Sequence, residues 1–229
     1  MKIVSTKDNL QILHEDNHLI VVNKRVGDIA QGDTSGDKPL PDIVKEYLKE
    51  KYNKPGEVFL GVVHRLDRPT SGIVVFAKTS KALTRMNELF SSRETQKTYW
   101  AVVKNKPPKE EDTLVHFIKR NQQNNTSKAH SKEVPESKKA SLDYKIIATL
   151  KTYYVLEVAL HTGRHHQIRA QLQAIGCPIK GDLKYGFDRS NPDGGIHLHA
   201  RYLAFIHPVS KEKINLIAPL PDDVIWNSI

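Results

Sequence analysis

The chain has 229 residues, of which 38% are hydrophobic and 27% charged, and its formal net charge is +9 at pH 7. These values are typical of a globular protein with one core of ordinary size, and the excess of Lys and Arg favours a polyanionic partner, nucleic acid before anionic membranes or acidic proteins. A single cysteine, Cys177, excludes an intramolecular disulfide framework and a multi-cysteine zinc site, and no apolar run is long enough to span a bilayer.

The first part of the chain alternates apolar runs with amphipathic segments. Three runs predict strands: residues 19–22, 58–63 and 72–77. Apolar residues at helical spacing predict a helix over residues 41–51. Thr79 or Ser80 can cap a second helix. Its predicted apolar face consists of Leu83, Met86, Leu89 and Phe90.

The middle of the chain contains a change of composition. Residues 98–103 alternate and are rich in aromatic side chains, which predicts a strand. Residues 105–139 are polar and contain few large apolar side chains, so we predict a long exposed insertion. Within it, residues 113–118 are a candidate for one short strand.

The last part of the chain returns to regular patterns. Strands are predicted over residues 140–148, 153–160, 202–206 and 214–217. A helix over residues 165–175 would place Ile168, Leu172 and Ile175 on one face, with Gly176 as its C-terminal cap. Many strands with scattered helices predict an α+β fold with a mixed, mostly antiparallel sheet flanked by helices and loops, as a single domain over residues 1–229.

The segment HRLDRPTSGIVVFAK, residues 64–78, is the most informative for chemistry. The cations of Arg65 and Arg68 favour the ionised form of the Asp67 carboxylate, which a nucleophile or a base near neutral pH requires. A general acid would require the opposite influence. The alternative is an ordinary ion pair in an exposed loop.

Two further segments carry candidate site residues. If residues from His165 onward are helical, Arg169 lies beside the apolar face and needs an anionic partner, either Asp67 or a structural carboxylate. In QKTYWAVV, residues 96–103, alternation places Tyr99 and Trp100 on opposite faces of a strand. Tyr99 could stack on a nucleobase, and the alternative is that both aromatic residues belong to the core.

Histidines offer a metal hypothesis. Six of the eleven follow residue 160: His161, His165, His166, His197, His199 and His207. A metal-dependent hydrolase is therefore an alternative, but no HExxH motif occurs, and such histidines also suit phosphate contacts or packed cores. Walker, Rossmann and G-x-S-x-G motifs do not occur either, so we predict neither a metal nor a cofactor.

Together these segments resemble the RluA-type pseudouridine synthases. The resemblance consists of EDNHLIVVNKRVG, HRLDRPTSGIVVFAK, KTYWAVV, TGRHHQIRAQLQAIGCPIKGD with a following KYG, and IHLHARYLAF with HPV, in the family's order. It implies a fold with a central active-site cleft and the isomerisation of specific uridines in ribosomal or transfer RNA to pseudouridine. A non-catalytic RNA-binding protein of the same fold is a second alternative, which the unbroken HRLD motif disfavours.

The resemblance also implies residue roles. Asp67 matches the essential catalytic carboxylate, Tyr99 the tyrosine that packs against the target base, and Arg169 the basic residue that pairs with the aspartate. Arg65 matches an arginine that fills the space left by the extruded base.

The neighbouring residues His64, Arg68, Arg164 and His166 are assigned to RNA binding and base flipping. The chain departs from the family's usual pattern at Arg25, His165 and Gln171, which puts the manner of RNA binding in doubt and not the catalytic set. We further expect no N-terminal S4 module, no signal peptide, a cytoplasmic location and a monomer whose partner is RNA.

Overall fold

The computed structural model describes residues 3–32 and 36–229 and divides into two compact units. Unit 1 comprises Met1–Gln96 and Ala200–Pro221, and unit 2 comprises Lys97–His199 and Asp222–Ile229. That the chain is a single domain over residues 1–229 stays a prediction.

The strands are, in chain order, β1 (Ile12–Glu15), β2 (Leu19–Lys24), β3 (Gly61–Val62), β4 (Ser71–Ala77), β5 (Gln96–Val103), β6 (Glu111–Asn121), β7 (Thr126–His130), β8 (Lys138–Thr149), β9 (Tyr154–Leu160), β10 (Leu198–Ile206) and β11 (Lys213–Ile217). The α-helices are α1 (Leu40–Lys51), α2 (Ser80–Ser92) and α3 (Gln167–Ala174). Short 3-10 helices cover Leu183–Tyr185 and Trp226–Ser228.

In unit 1 the strands lie in the order β1-β2-β4-β10, with β3 paired to β4 and β11 paired to β10. Every residue of β2 and β4 is buried, which agrees with their nearly continuous apolar sequences. Their side chains pack against Met86 of α2 and Leu203 of β10. Helix α2 begins where the sequence predicts, because the Thr79 side chain accepts a hydrogen bond from the backbone N–H of Ala82 (3.2 Å).

A glycine allows close approach of two backbones beside the HRLD segment. Gly72, in β4, has a φ of +115°, and a Cβ at this position would lie 2.4 Å from the carbonyl oxygen of Ala200. No other residue type fits such a contact without a shift of the backbone.

In unit 2 the strands lie in the order β5-β9-β8-β6-β7, and the four pairings are antiparallel. One face of this sheet is covered by α3, which contributes Ile168 and Leu172 to the core. Helix α3 ends in a Schellman motif: Gly176 has a φ of +75°, and the backbone N–H of Cys177 donates to the carbonyl of Leu172 (2.9 Å). The predicted α+β class with a mostly antiparallel sheet is confirmed.

The structure differs from the sequence expectation in the polar segment. Instead of one short strand within residues 105–139, β6 and β7 form a hairpin that pairs with β8. Leu114 and Ile118 of β6 are buried on the side of α3. Composition averages over the two faces of a strand, so a hairpin with one buried and one exposed face resembles a loop in its average polarity.

Three smaller differences concern β1, β3 and the start of α3. The strand predicted over residues 58–63 is only β3, and β1 was not predicted at all. Helix α3 begins two residues later than predicted, because His166 has left-handed backbone angles (φ 52°, ψ 29°) that no α-helix contains.

Candidate active site

The HRLD loop connects β3 to β4 in unit 1 and is fixed to β4 by its first residue. Nε2 of His64 accepts a hydrogen bond from the backbone N–H of Val75 (3.2 Å), and the imidazole stacks on the ring of Phe90 with 4.8 Å between centroids. Leu66 is buried. His64 therefore holds the loop in place, and its contact with RNA stays a prediction.

A buried lysine holds the other end of the loop. The ammonium group of Lys24 is in β2 and donates to the backbone carbonyls of Arg25 (2.9 Å), Arg68 (3.2 Å) and Thr70 (2.7 Å). A buried ammonium is stable only when its donors are used, and two of the acceptors here, Arg68 and Thr70, closely follow Asp67 in the chain. The backbone carbonyl of Asp67 accepts from the N–H of Thr70 (3.0 Å) and closes a turn.

The two arginines beside Asp67 make contacts within unit 1. Arg65 donates to the side-chain oxygen of Gln31, and Arg68 forms an exposed ion pair with Asp37. The loop thus presents cations on both sides of Asp67, as the sequence predicts, on a backbone that β2 and β4 hold rigidly.

In unit 2, the structure brings Tyr99 and α3 to the same side of the sheet. Tyr99, in β5, is partly buried and packs against the core cluster that includes Ile168 and Leu172 of α3. Arg164, just before the helix, donates from Nε to the carbonyl of Lys139 (3.1 Å). Three of the predicted site residues, Tyr99, Arg164 and Arg169, thus belong to unit 2.

Arg169 is buried and forms a bidentate ion pair. Its side chain is 5% exposed, and its Nε and Nη2 donate to the two carboxylate oxygens of Asp182 (2.7 and 2.8 Å). The guanidinium carbon lies 4.8 Å from the centroid of the Tyr185 ring. The sequence left two candidate anionic partners for Arg169, Asp67 and a structural carboxylate, and Asp182 is a structural carboxylate paired with it. The pairing of Arg169 with Asp67 stays a prediction.

His166 is connected to the same group of side chains. Its Nδ1 lies 2.7 Å from the hydroxyl oxygen of Tyr185, and its imidazole stacks on that of His165 with 3.8 Å between centroids. His165 in turn lies 2.9 Å from the hydroxyl of Ser127 in β7. Because the helix starts at Gln167, His165 does not share a helical face with Arg169, which corrects the helical placement predicted from sequence.

The sequence reasoning missed Lys24, Asp182 and Tyr185. Lys24 is part of an apolar strand, where a lysine with every neighbour buried signals a structural role. Asp182 and Tyr185 are in the GDLKYG segment, whose glycines at 181 and 186 both have positive φ. Two glycines this close together indicate a turn in the sequence, but burial of the residues between them is visible only in the structure.

His197, one of the histidines behind the metal hypothesis, makes structural contacts. Nδ1 of His197 accepts from the side-chain amide of Asn191 (2.9 Å), its Nε2 donates to Asp223 (2.8 Å), and its ring stacks on Trp226 with 5.3 Å between centroids. Within residues 3–32 and 36–229, no group of three or more His, Cys, Asp or Glu side chains has the arrangement of a metal site.

Burial of His197 makes the stability of the fold depend on pH. Burial lowers the pKa of His197, although the hydrogen bond to Asp223 acts in the opposite direction. The unfolded chain therefore binds a proton at about pH 6.5, where the folded chain does not, and the free energy of unfolding falls as the pH decreases below that value. We expect His197→Gln to reduce the slope of unfolding free energy against pH in urea denaturation between about pH 5 and 7.

None of the helices among the described residues has the length and apolar character needed to cross a membrane.

Comparison with known proteins gives concordant matches. The family model described as RNA pseudouridylate synthase matches residues 18–174. An uncharacterized RNA pseudouridine synthase of Chlorobaculum parvum is 34% identical, over 94% of this chain and 72% of its own length. The ribosomal large subunit pseudouridine synthase D of Xylella fastidiosa is 33% identical, over 94% of this chain and 67% of its own length.

A solved structure has the same fold. The human RNA pseudouridylate synthase domain containing 4 superposes with a TM-score of 0.78, at 24% identity, over 94% of this chain and 90% of the solved one. At that identity the likeness concerns the fold alone.

Proposed function

This chain belongs to the RNA pseudouridylate synthase family, a family of RNA isomerases, and from that premise we propose that it converts specific uridines of ribosomal RNA to pseudouridine, with Asp67 as the catalytic carboxylate. The match over residues 18–174, which contains Asp67, Tyr99 and Arg169, is the observation that carries the proposal. Ribosomal RNA is favoured over transfer RNA because the relative from Xylella fastidiosa is named for the large ribosomal subunit. We extend the proposal to a monomer in the cytoplasm that needs neither a metal nor a cofactor.

The reaction exchanges one bond for another without a change of atoms. The N1–C1′ bond of uridine breaks, the uracil rotates, and a C5–C1′ bond forms, while C5 loses a hydrogen and N1 gains one. The reaction is an isomerisation with no net transfer of electrons or groups, so correctly positioned side chains are sufficient for it in this proposal. In this proposal Asp67 acts in its ionised form, Tyr99 packs against the uracil, and Arg169 keeps the carboxylate charged.

Base flipping is the second part of the proposal. A base inside a helix must leave its stack before the sugar can be reached, at a cost of a few kcal/mol. Arg65, on the loop that carries Asp67, would fill the space that the base leaves. His64, Arg68, Arg164 and His166 would contact the phosphates or the neighbouring nucleotides.

The isomerisation can be tested directly. Ribosomal RNA from cells that lack this gene, labelled with tritium at C5 of uridine, should release tritium into water when incubated with the protein. Pseudouridine mapping of RNA from cells with and without the gene identifies the position. Complete absence of release from ribosomal RNA, together with identical pseudouridine maps, would refute the proposal, whereas release from transfer RNA alone would change the substrate.

A second RNA contact is supported by the exposed face of the β6–β7 hairpin. Side chains at alternate positions of β6 point away from α3, among them Val115, which is 47% exposed. On this face Phe117 lies opposite His130 of β7 and Lys139 of β8, and Lys119 lies opposite Lys128.

The pairing of Lys119 with Lys128 does not stabilise the sheet. Like charges directly opposite each other destabilise a pair of strands, and only Lys119 of the two has an acidic neighbour in a salt bridge within the described chain, Glu136 at 3.1 Å. A partly buried aromatic ring beside several cations can bind single-stranded RNA through stacking and phosphate contacts. We include this face in the proposed RNA-binding surface.

Removing the two lysines should weaken RNA binding in a salt-dependent way. Lys119→Gln with Lys128→Gln is expected to reduce the slope of log affinity against log salt concentration by about 2, because two phosphate contacts are lost. Filter binding with ribosomal RNA fragments at several salt concentrations measures the slope. The control is Lys145→Gln, which is on the same strand face but lies opposite Glu111 and Glu157. An unchanged slope in the double variant would remove this face from the RNA-binding surface.

A further inference from the structure

Two residues outside the predicted catalytic set surround the guanidinium of Arg169. Asp182 binds its Nε and Nη2, and the ring of Tyr185 lies 4.8 Å from its central carbon. Arg169, Asp182 and Tyr185 are 5%, 1% and 6% exposed, so water has little access to the group. The plane of the guanidinium is therefore fixed by two independent contacts, an ion pair along one edge and an aromatic ring nearby.

The hydroxyl group of Tyr185 fixes the ring itself. It accepts a hydrogen bond from the backbone N–H of Ser127 in β7 (2.8 Å) and lies 2.7 Å from Nδ1 of His166. Since the hydroxyl oxygen already accepts from Ser127, its own proton is available for His166. Tyr185 thus joins three parts of unit 2: the strand β7, the residue before α3, and the arginine inside α3.

This arrangement exceeds what the fold needs. A buried ion pair gives little net stability compared with apolar side chains of similar size, and a buried tyrosine needs a hydrogen-bond partner that a phenylalanine in an ordinary core does not. An arginine that takes part in a reaction does need contacts that fix the orientation of its guanidinium, because a small displacement of a catalytic group can lower the reaction rate greatly.

We propose that Asp182 and Tyr185 are positioning residues, which hold the guanidinium of Arg169 in the one orientation that serves the reaction at the target uridine. The inference rests on the proposed function, since it gives Arg169 its role in that reaction. Neither residue touches the substrate in this account. The ring of Tyr185 contacts Arg169 and its hydroxyl group contacts His166, so substitutions can separate the two contacts.

The test compares two buried tyrosines of unit 2. Tyr185→Leu removes the ring beside Arg169, and Tyr185→Phe keeps the ring but removes the hydroxyl. The matched control is Tyr144, which is 2% exposed in β8 and donates its hydroxyl proton to the carbonyl of Lys109 (3.2 Å). Tyr144→Leu and Tyr144→Phe create comparable losses in the same core without contact to Arg169.

The measurement is tritium release from C5-labelled ribosomal RNA in single turnovers. We expect Tyr185→Leu to lower the rate constant at saturating protein at least tenfold, with less than a threefold change in the protein concentration that gives half the maximal rate. Tyr185→Phe should retain at least a third of the rate constant. Tyr144→Leu should lower the thermal midpoint but keep the rate constant within about twofold of the wild-type value.

Asp182→Asn provides a second variant in case Tyr185→Leu does not fold. It keeps the shape of the side chain but removes its charge, and it should also lower the rate constant at least tenfold. A folded Tyr185→Leu or Asp182→Asn variant with the wild-type rate constant overturns the inference, as does an equal loss in Tyr144→Leu. If the wild-type protein itself releases no tritium, the proposed function fails first and the inference with it.

Discussion

Asp67→Asn is expected to abolish uridine isomerisation while RNA binding is retained. The substitution keeps the size and most hydrogen-bonding capacity of the side chain but removes its charge, and the proposed reaction needs an ionised carboxylate whether it attacks the sugar, attacks the base or takes up a proton. The loss of rate should be about 1000-fold or more, as for other groups that take part in bond making. Tritium release from labelled ribosomal RNA measures the rate, and filter binding measures the affinity.

A matched control separates this role from a general effect of charge. Asp42 is in α1 of the same unit, and its carboxylate is 49% exposed in a salt bridge with Lys45 (3.4 Å). Asp42→Asn changes the net charge by the same amount and should leave the rate within about twofold. Substantial turnover by Asp67→Asn would mean that another residue performs the chemistry, and the non-catalytic alternative would follow if the wild-type protein binds RNA without releasing tritium.

Arg169→Ala is expected to damage both stability and activity. The substitution leaves the Asp182 carboxylate, which is 1% exposed, without the bidentate partner that balances its charge. Removing one member of a buried ion pair typically costs about 3–5 kcal/mol of unfolding free energy, because the remaining charge is desolvated. Urea denaturation should show the loss as a lower midpoint. Lys109→Ala, in the exposed salt bridge with Asp112, should cost less than about 1 kcal/mol.

A double variant distinguishes the two effects of Arg169. Replacing both members, as Arg169→Leu with Asp182→Leu, removes the stranded charge and should recover most of the lost stability. Activity should stay absent in this variant, because the guanidinium is still missing. A stable single variant would contradict the structural role of the pair, and an active double variant would remove Arg169 from the catalytic set.

Much of the secondary structure follows from patterns with a single local cause. The strand β4 is a continuous apolar run, and the helix α2 has a threonine cap before an amphipathic stretch, so both could be predicted from sequence. The hairpin of β6 and β7 could not, because the average polarity of its two faces is that of a loop and its strand character depends on pairing with β8. The start of α3 depends on one left-handed residue, His166, which has no signal in its side chain.

The candidate site likewise contains residues that the sequence predicts and residues that only the structure identifies. The residues that the motifs name, Asp67, Tyr99 and Arg169, could be chosen because their chemical types and order along the chain resemble one family of RNA isomerases. The residues that hold them could not. Lys24 binds carbonyls 44 and 46 residues away, and Tyr185 binds the backbone of Ser127 58 residues away, and sequence spacing does not encode such contacts.

By itself, the sequence determined the family, the α+β class and the residues that carry the proposed chemistry, because each of these depends on residue type and local order. Only the tertiary structure decided that Asp182 is a carboxylate partner of Arg169 and that Tyr185 lies beside it. The physical reason is that the partner of a buried charge is determined by proximity in space. Several carboxylates from distant segments could lie near Arg169, and the sequence does not indicate which of them does.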